Sequence, residues 1–236
     1  MNEQTYVGGE LELFAQARNW KNYWKSKLRG EIRGAVLEVG AGIGSNTLLL
    51  RSGAEHRWVC LEPDSVLADG IKNRIASSPV CQNCEVRTGT IASLPATEPF
   101  DTILYIDVLE HIQDDRTEVE RAADHLTRHG RLIVLSPAHP WLFSPFDKAI
   151  GHYRRYTIGM LATLTPAVLR LRRSFYLDSV GLLASAANRL MLRQTMPNAQ
   201  QLALWDKIMI PCSRIIDPLT GYRLGKSVVC IWERKD

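Results

Sequence analysis

Val36-Leu37-Glu38-Val39-Gly40-Ala41-Gly42-Ile43-Gly44 is the stretch that decides the fold of this 236-residue chain. Residues 36–39 read as a short buried strand, and the three glycines let the backbone turn tightly and pass close to a ligand before a helix begins near Ser45. A second apolar run, Trp58-Val59-Cys60-Leu61-Glu62, ends on an acid eighteen residues after the last glycine. At a neighbouring strand tip, that carboxylate can accept hydrogen bonds from both hydroxyls of a ribose. The pattern fits an adenosine-containing ligand.

A dinucleotide site usually reads G-x-G-x-x-G and sets a pyrophosphate on the helix N-terminus. The spacing here is G-x-G-x-G, with Glu38 two residues before the first glycine. This resembles the E/D-x-G-x-G-x-G signature of the class I S-adenosylmethionine-dependent methyltransferases, and the block Pro137–Asp147 with Gly151–Thr157 resembles a bacterial subgroup of them found with polysaccharide and secondary-metabolite pathways. The resemblance implies an α/β fold, a doubly wound Rossmann-like seven-stranded sheet, mostly parallel with an antiparallel last strand. It also implies S-adenosylmethionine as cofactor, held by Glu38, Gly40, Gly42, Gly44, Glu62 and Pro63. Thr90 stands where the family often has an aspartate for the adenine amino group. Ile91 is expected against the adenine face, and Ile106 and Asp107 beside the methionine part.

Composition agrees with a globular α/β chain and suggests neither disorder nor collagen. No apolar run approaches the roughly 18 residues that cross a bilayer, and the first residues lack a basic region followed by an apolar core, so a cytoplasmic location without an integral membrane segment is expected. Five cysteines without a secretion signal argue for free thiols, Cys81 and Cys84 included. The net charge of +4 is uneven: residues 1–150 hold 16 Lys+Arg against 20 Asp+Glu, and residues 151–236 hold 13 against 5. These basic residues are scattered without an aromatic ladder, which favours a small-molecule substrate and a solvated face over a nucleic-acid groove.

One domain over residues 1–236 is expected, with an N-terminal helical lid over residues 1–30. Apolar and aromatic residues from Leu11 to Leu28 recur there at helical spacing, and Tyr6, Trp20 and Trp24 either close over the cofactor or anchor the helix on the sheet. Strands are predicted at 57–61, 84–88, 100–107, 131–135, 169–176 and 227–232. Helices are predicted at 45–51, 65–76, 114–126, 157–164 and 181–192, with a further helical stretch at 205–215 interrupted by Pro211. Helix 181–192 is rich in small residues, leaving a homodimer contact or a lipid-linked substrate as alternatives to ordinary burial. Residues 137–157 form the expected substrate-covering insertion at the ligand-binding edge of the sheet, their part Pro137–Asp147 having too many prolines for a helix.

Methyl transfer from a sulfonium is an in-line displacement whose demands are alignment and, for some acceptors, removal of one proton. Candidate bases are His139, His152, Asp147 and Tyr176, with Tyr153 a further candidate; ordinary packing is the alternative for each. Asp107, Glu110 and His111 share one face of a helical turn, a segment some methyltransferases use for a divalent cation, yet no metal is expected because no fourth ligand is identifiable. Two other reactions stay open. The amine of S-adenosylmethionine can displace its own sulfur, giving azetidine-2-carboxylate and methylthioadenosine, with His139, Tyr153 or Tyr176 orienting or deprotonating it. An NAD-dependent dehydrogenase or a non-catalytic cofactor-binding protein completes the alternatives.

Overall fold

The computed structural model describes residues 9–191 and 199–236; Tyr6 lies outside them. Two helices, α1 (Gly9–Ala15) and α2 (Arg18–Leu28), precede the sheet. The chain then alternates through β1 (Ala35–Val39), α3 (Ser45–Leu50), β2 (Arg57–Glu62), α4 (Ser65–Ala76), β3 (Cys84–Thr88), β4 (Phe100–Ile106), α5 (Asp115–Asp124) and β5 (Leu126–Pro137). After α6 (Pro145–Ala149) and α7 (Ile158–Thr163) come β6 (Leu169–Leu177), α8 (Ser179–Met191), α9 (Ala199–Leu204), α10 (Ile210–Leu219) and β7 (Ser227–Arg234). The seven-stranded sheet has the order β3-β2-β1-β4-β5-β7-β6. β7 runs antiparallel to both neighbours, and the pairs from β3 to β5 are parallel. The fold class is the expected one.

The side-chain period of two sorts the strands into two apolar layers. Leu37, Ile103, Tyr105, Leu132 and Val134 pack on one face with Val119, Ala122 and Ala123 of α5. Val36, Trp58, Leu104, Ile133 and Ile231 pack on the other with α2, α4 and Ile210. Trp20, Tyr23, Trp24 and Leu28 of α2 are all buried in that second layer, so these aromatics anchor the helix. The N-terminus of α2 has no cap of its own; Asp206 supplies one from far along the chain, accepting from the Asn19 and Trp20 backbone N–H groups at 3.2 and 2.9 Å.

Three local expectations are corrected. The helix predicted to residue 126 ends at Asp124, because Leu126 already pairs with Phe100, and β5 continues through a register shift with His129 at φ 60°. Residues 137–157 do contain a helix: Pro145 takes the first turn of α6, where its missing N–H costs nothing, and Ser144 and Asp147 close a capping box. Pro211 does not interrupt its helix. A π-turn over Trp205–Met209 joins α9 to α10, and Pro211 falls in the first turn beyond it. All five cysteines are free.

Candidate active site

The loop after β1 and the tips of β2 and β4 form the site. Gly40, Gly42 and Gly44 all adopt left-handed backbone, at φ 65°, 57° and 74°. A Cβ on Gly40 would stand 2.7 Å from a Val108 methyl. At Gly42 the nearest atoms are the Leu11 methyls at 3.7 and 3.8 Å, so α1 lies over an otherwise open loop. The Gly42 N–H donates to Glu62 Oε2 at 2.7 Å, and the Asp64 N–H donates to Oε1 at 3.1 Å. Burial raises the Glu62 carboxyl against these two bonds. One carboxylate at the end of β2 therefore ties the glycine turn to the start of α4.

Glu38 points to the α2 side of the sheet. Its Oε2 accepts from Thr47 Oγ1 at 2.6 Å and Trp58 Nε1 at 3.0 Å, while the buried Oε1 has no partner. Burial pushes it up to about 7, against those two bonds and the Lys21 ammonium. Lys21 reaches in from α2 to Ser45 Oγ and Asn46 Oδ1, at 2.7 and 2.9 Å. Burial lowers its pKa, with Asp107 and Glu38 opposing. Lys21 was not among the residues expected at the site; its place beside Trp20 on an aromatic-rich helix is the available signal.

Because folding favours protonated Glu38, that contribution is fully present below the ordinary glutamate pKa and is lost as pH rises through about 7. Glu38→Gln keeps an oxygen for Thr47 and Trp58 and removes the charge. The ligand-free variant should melt with wild type near pH 5 and several degrees above it at pH 8, a gain of roughly 2 kcal/mol. A difference that does not change between those pH values would count against this account.

Asp107 follows β4 at φ 55°, its N–H bonded to Leu135 O at 2.8 Å. Its side chain is open to solvent, yet protein walls it closely. That enclosure pushes it up to about 6, against His152, Lys21 and Lys226. Ile106 ends β4 in the buried layer, and Pro63 and Thr90 are exposed beside the β2 and β3 tips. Ile91 departs from its expected position against adenine: its side chain is drawn into the core, 1% exposed, beneath β2.

The structure separates the candidate bases into two groups. His139 (φ 66°) donates from Nε2 to Gly225 O at 3.0 Å and stacks on Tyr176, with centroids 4.9 Å apart and planes at 22°. Nδ1 is then the basic nitrogen, and burial lowers the pKa. The Tyr176 hydroxyl accepts from the Ile158 N–H at 3.1 Å. Asp147 belongs to the second group. It is fully buried and takes two bonds from Arg155, at 2.8 and 2.9 Å, with further bonds from His152 and Ser144. Burial alone would raise its carboxyl, but these partners hold it well below the usual range. With both oxygens committed, Asp147 ties Ser144, His152 and Arg155 together rather than standing ready as a base. Tyr153 is exposed, and its N–H donates to Glu110 O.

Residues 36–130 match the family model described as a methyltransferase domain. A curated relative from Staphylococcus carnosus (strain TM300), described as an uncharacterized methyltransferase, is 27% identical over 131 residues. The match covers 55% of this chain and 59% of that relative's length. The N-methyltransferase NodS from Bradyrhizobium japonicum WM9 has a TM-score of 0.58 at 14% identity, covering 94% of this chain and 97% of that one. The [4+2]-cyclase SpnF has a TM-score of 0.64 at 12% identity, covering 97% and 95%. Coclaurine N-methyltransferase, bound to N-methylheliamine and SAH, has a TM-score of 0.60 at 14% identity, covering 99% and 75%. The sheet is thus the Rossmann-like fold of the methyltransferases. The sequence match to the methyltransferase-domain family model lies in residues 36–130, the part of the chain from β1 into β5.

Proposed function

We propose that this protein is an S-adenosylmethionine-dependent methyltransferase acting on a small-molecule acceptor in a biosynthetic pathway. The observation that carries the reading is the Glu62 carboxylate at the β2 tip, 2.7 Å from the Gly42 N–H. It stands where ribose hydroxyls can exchange for a backbone donor, beside a left-handed glycine that only the Leu11 methyls approach. When bound, the cofactor supplies an electrophilic methyl group on sulfur. Glu62 receives the ribose, the backbone from Gly40 to Gly44 admits the ligand, and Pro63 and Thr90 border the adenine side. Ile106 and Asp107 adjoin the methionyl side, with Lys21 providing a nearby cation. His139, with a basic Nδ1 and Tyr176 stacked on it, is the pair suited to accept a proton from an acceptor.

The sheet weighs against a dehydrogenase, since an antiparallel β7 lies between β5 and β6 where the dinucleotide fold continues in parallel. Among the described residues no helix is long and apolar enough to cross a membrane.

Calorimetry tests the cofactor. S-adenosylmethionine and S-adenosylhomocysteine are expected to bind, and Glu62→Ala should weaken both by roughly 1.5–3 kcal/mol; nicotinamide dinucleotide binding in their place would sink the reading. Incubation with S-adenosylmethionine alone tests the reaction. No turnover is expected before an acceptor is supplied. Methylthioadenosine released by wild type and lost in Tyr176→Phe would replace methyl transfer with cyclisation.

A further inference from the structure

Beside the glycine loop lies a second cluster of donors. Glu110, His111 and His152 bring one ligand atom each to within 4.8 Å of the others. Three atoms so spaced share a point no more than about 2.8 Å from each, so a contraction of at most about 0.6–0.8 Å reaches first-row metal bond lengths. His152 comes from the cover, far in sequence from the other two, which is why the sequence showed no completing ligand.

Glu110 is fully buried. Its Oε2 accepts from Ser136 Oγ at 2.9 Å, and its Oε1 has no hydrogen-bond partner. The nearest cationic candidate for Oε1 is His152 Nε2, 3.9 Å away, too far for a hydrogen bond. His152 Nδ1 lies 2.9 Å from Asp147 Oδ1, a carboxylate that can only accept, so Nδ1 carries a proton and Nε2 is the nitrogen left to a metal on the Glu110 side. Nε2 and the unpartnered Oε1 then face one another across a buried gap. Such a gap is costly when empty and favourable when a cation fills it.

Each donor also has an outer partner that fixes its orientation, a common property of metal ligands. Asp147 holds His152 and is itself gripped by Arg155; Ser136 holds Glu110; the Gly151 backbone bonds the His111 ring. We propose that Glu110, His111 and His152 bind one divalent first-row transition metal. Two imidazoles and one carboxylate suit zinc, cobalt(II) or iron(II) better than magnesium or calcium, which favour all-oxygen sites. Asp107, solvent-exposed just after β4, interacts electrostatically with both Glu110 and His152. The site stands independently of the methyl-transfer reading.

The test uses the full chain, stripped with chelator and titrated with cobalt(II) and zinc. Wild type should bind one equivalent and, with cobalt(II), develop visible d–d absorption. Glu110→Gln, which keeps the shape and removes the charge, and His152→Ala should each weaken binding at least about 100-fold. Asp147→Asn, acting through His152, should weaken it about 10- to 100-fold. His56→Ala, at an exposed histidine outside the cluster, should bind as wild type. Circular dichroism shows whether each variant is folded. The wild-type titration decides even where a variant is not: less than one equivalent overturns the site, as does equal affinity in folded Glu110→Gln and His152→Ala.

Discussion

Gly42→Val should lose at least about 100-fold in affinity for S-adenosylmethionine while remaining folded, the largest functional effect expected of a single change in the proposed cofactor site. The residue sits at φ 57°, so a β-branched side chain there costs roughly 1–3 kcal/mol of stability. Packing adds little, because the new Cβ meets only Leu11, at 3.7 Å. The valine methyls instead project into the space over the loop through which a ligand must approach the backbone. Gly40→Val provides the contrast. Its Cβ would lie 2.7 and 2.8 Å from the two Val108 methyls, so its main loss should be in melting temperature. Thermal melts and calorimetry on the two variants separate the effects, and unchanged affinity in folded Gly42→Val would defeat the cofactor assignment.

Asp147→Ala should produce the largest loss of stability. Asp147 is fully buried and Arg155 is 8% exposed, so the substitution leaves a buried guanidinium without the carboxylate that takes two bonds from it. Removing one partner of a buried pair costs about 3–5 kcal/mol, or a fall in Tm on the order of 10 °C for a chain of this size. Replacing both partners should cost less: Asp147→Ala/Arg155→Met removes the stranded charge. Thermal melts in the presence of chelator provide the measurement. A double variant no more stable than Asp147→Ala would show that the capping box and the His152 bond, rather than the ion pair, carry the loss.

What the sequence made legible was local. Gly40, Gly42, Gly44 and Glu62 announced their conformations because left-handed glycines and an acid at a strand tip are written within one strand-turn-helix unit. Strand periodicity likewise placed β1 to β4 within a residue or so, and the caps of α4 and α7, Asp64 and Thr157, stand directly before their helices in sequence. The misses depended on distant partners. The helix before β5 stops early because Leu126 pairs with Phe100, and Pro145 is tolerated because Ser144 and Asp147 close a box around the helix start. His152 and Glu110, forty-two residues apart in sequence, come together only in the folded chain. Asp147 looked like a free carboxylate until Arg155 and His152 occupied its oxygens.

β7 is the last of the seven strands to be synthesised, yet it belongs inside the sheet, with β5 on one side and β6 on the other. While residues 227–234 are still within the ribosome, β6 has no sheet neighbour, and the Leu132–Leu135 part of β5 presents an open apolar edge. Unpaired edges of this kind invite strand addition from other chains. Vectorial synthesis therefore leaves this half of the molecule waiting for a keystone, and the interval before β7 slots in is when the nascent chain is most exposed to aggregation and most dependent on chaperones.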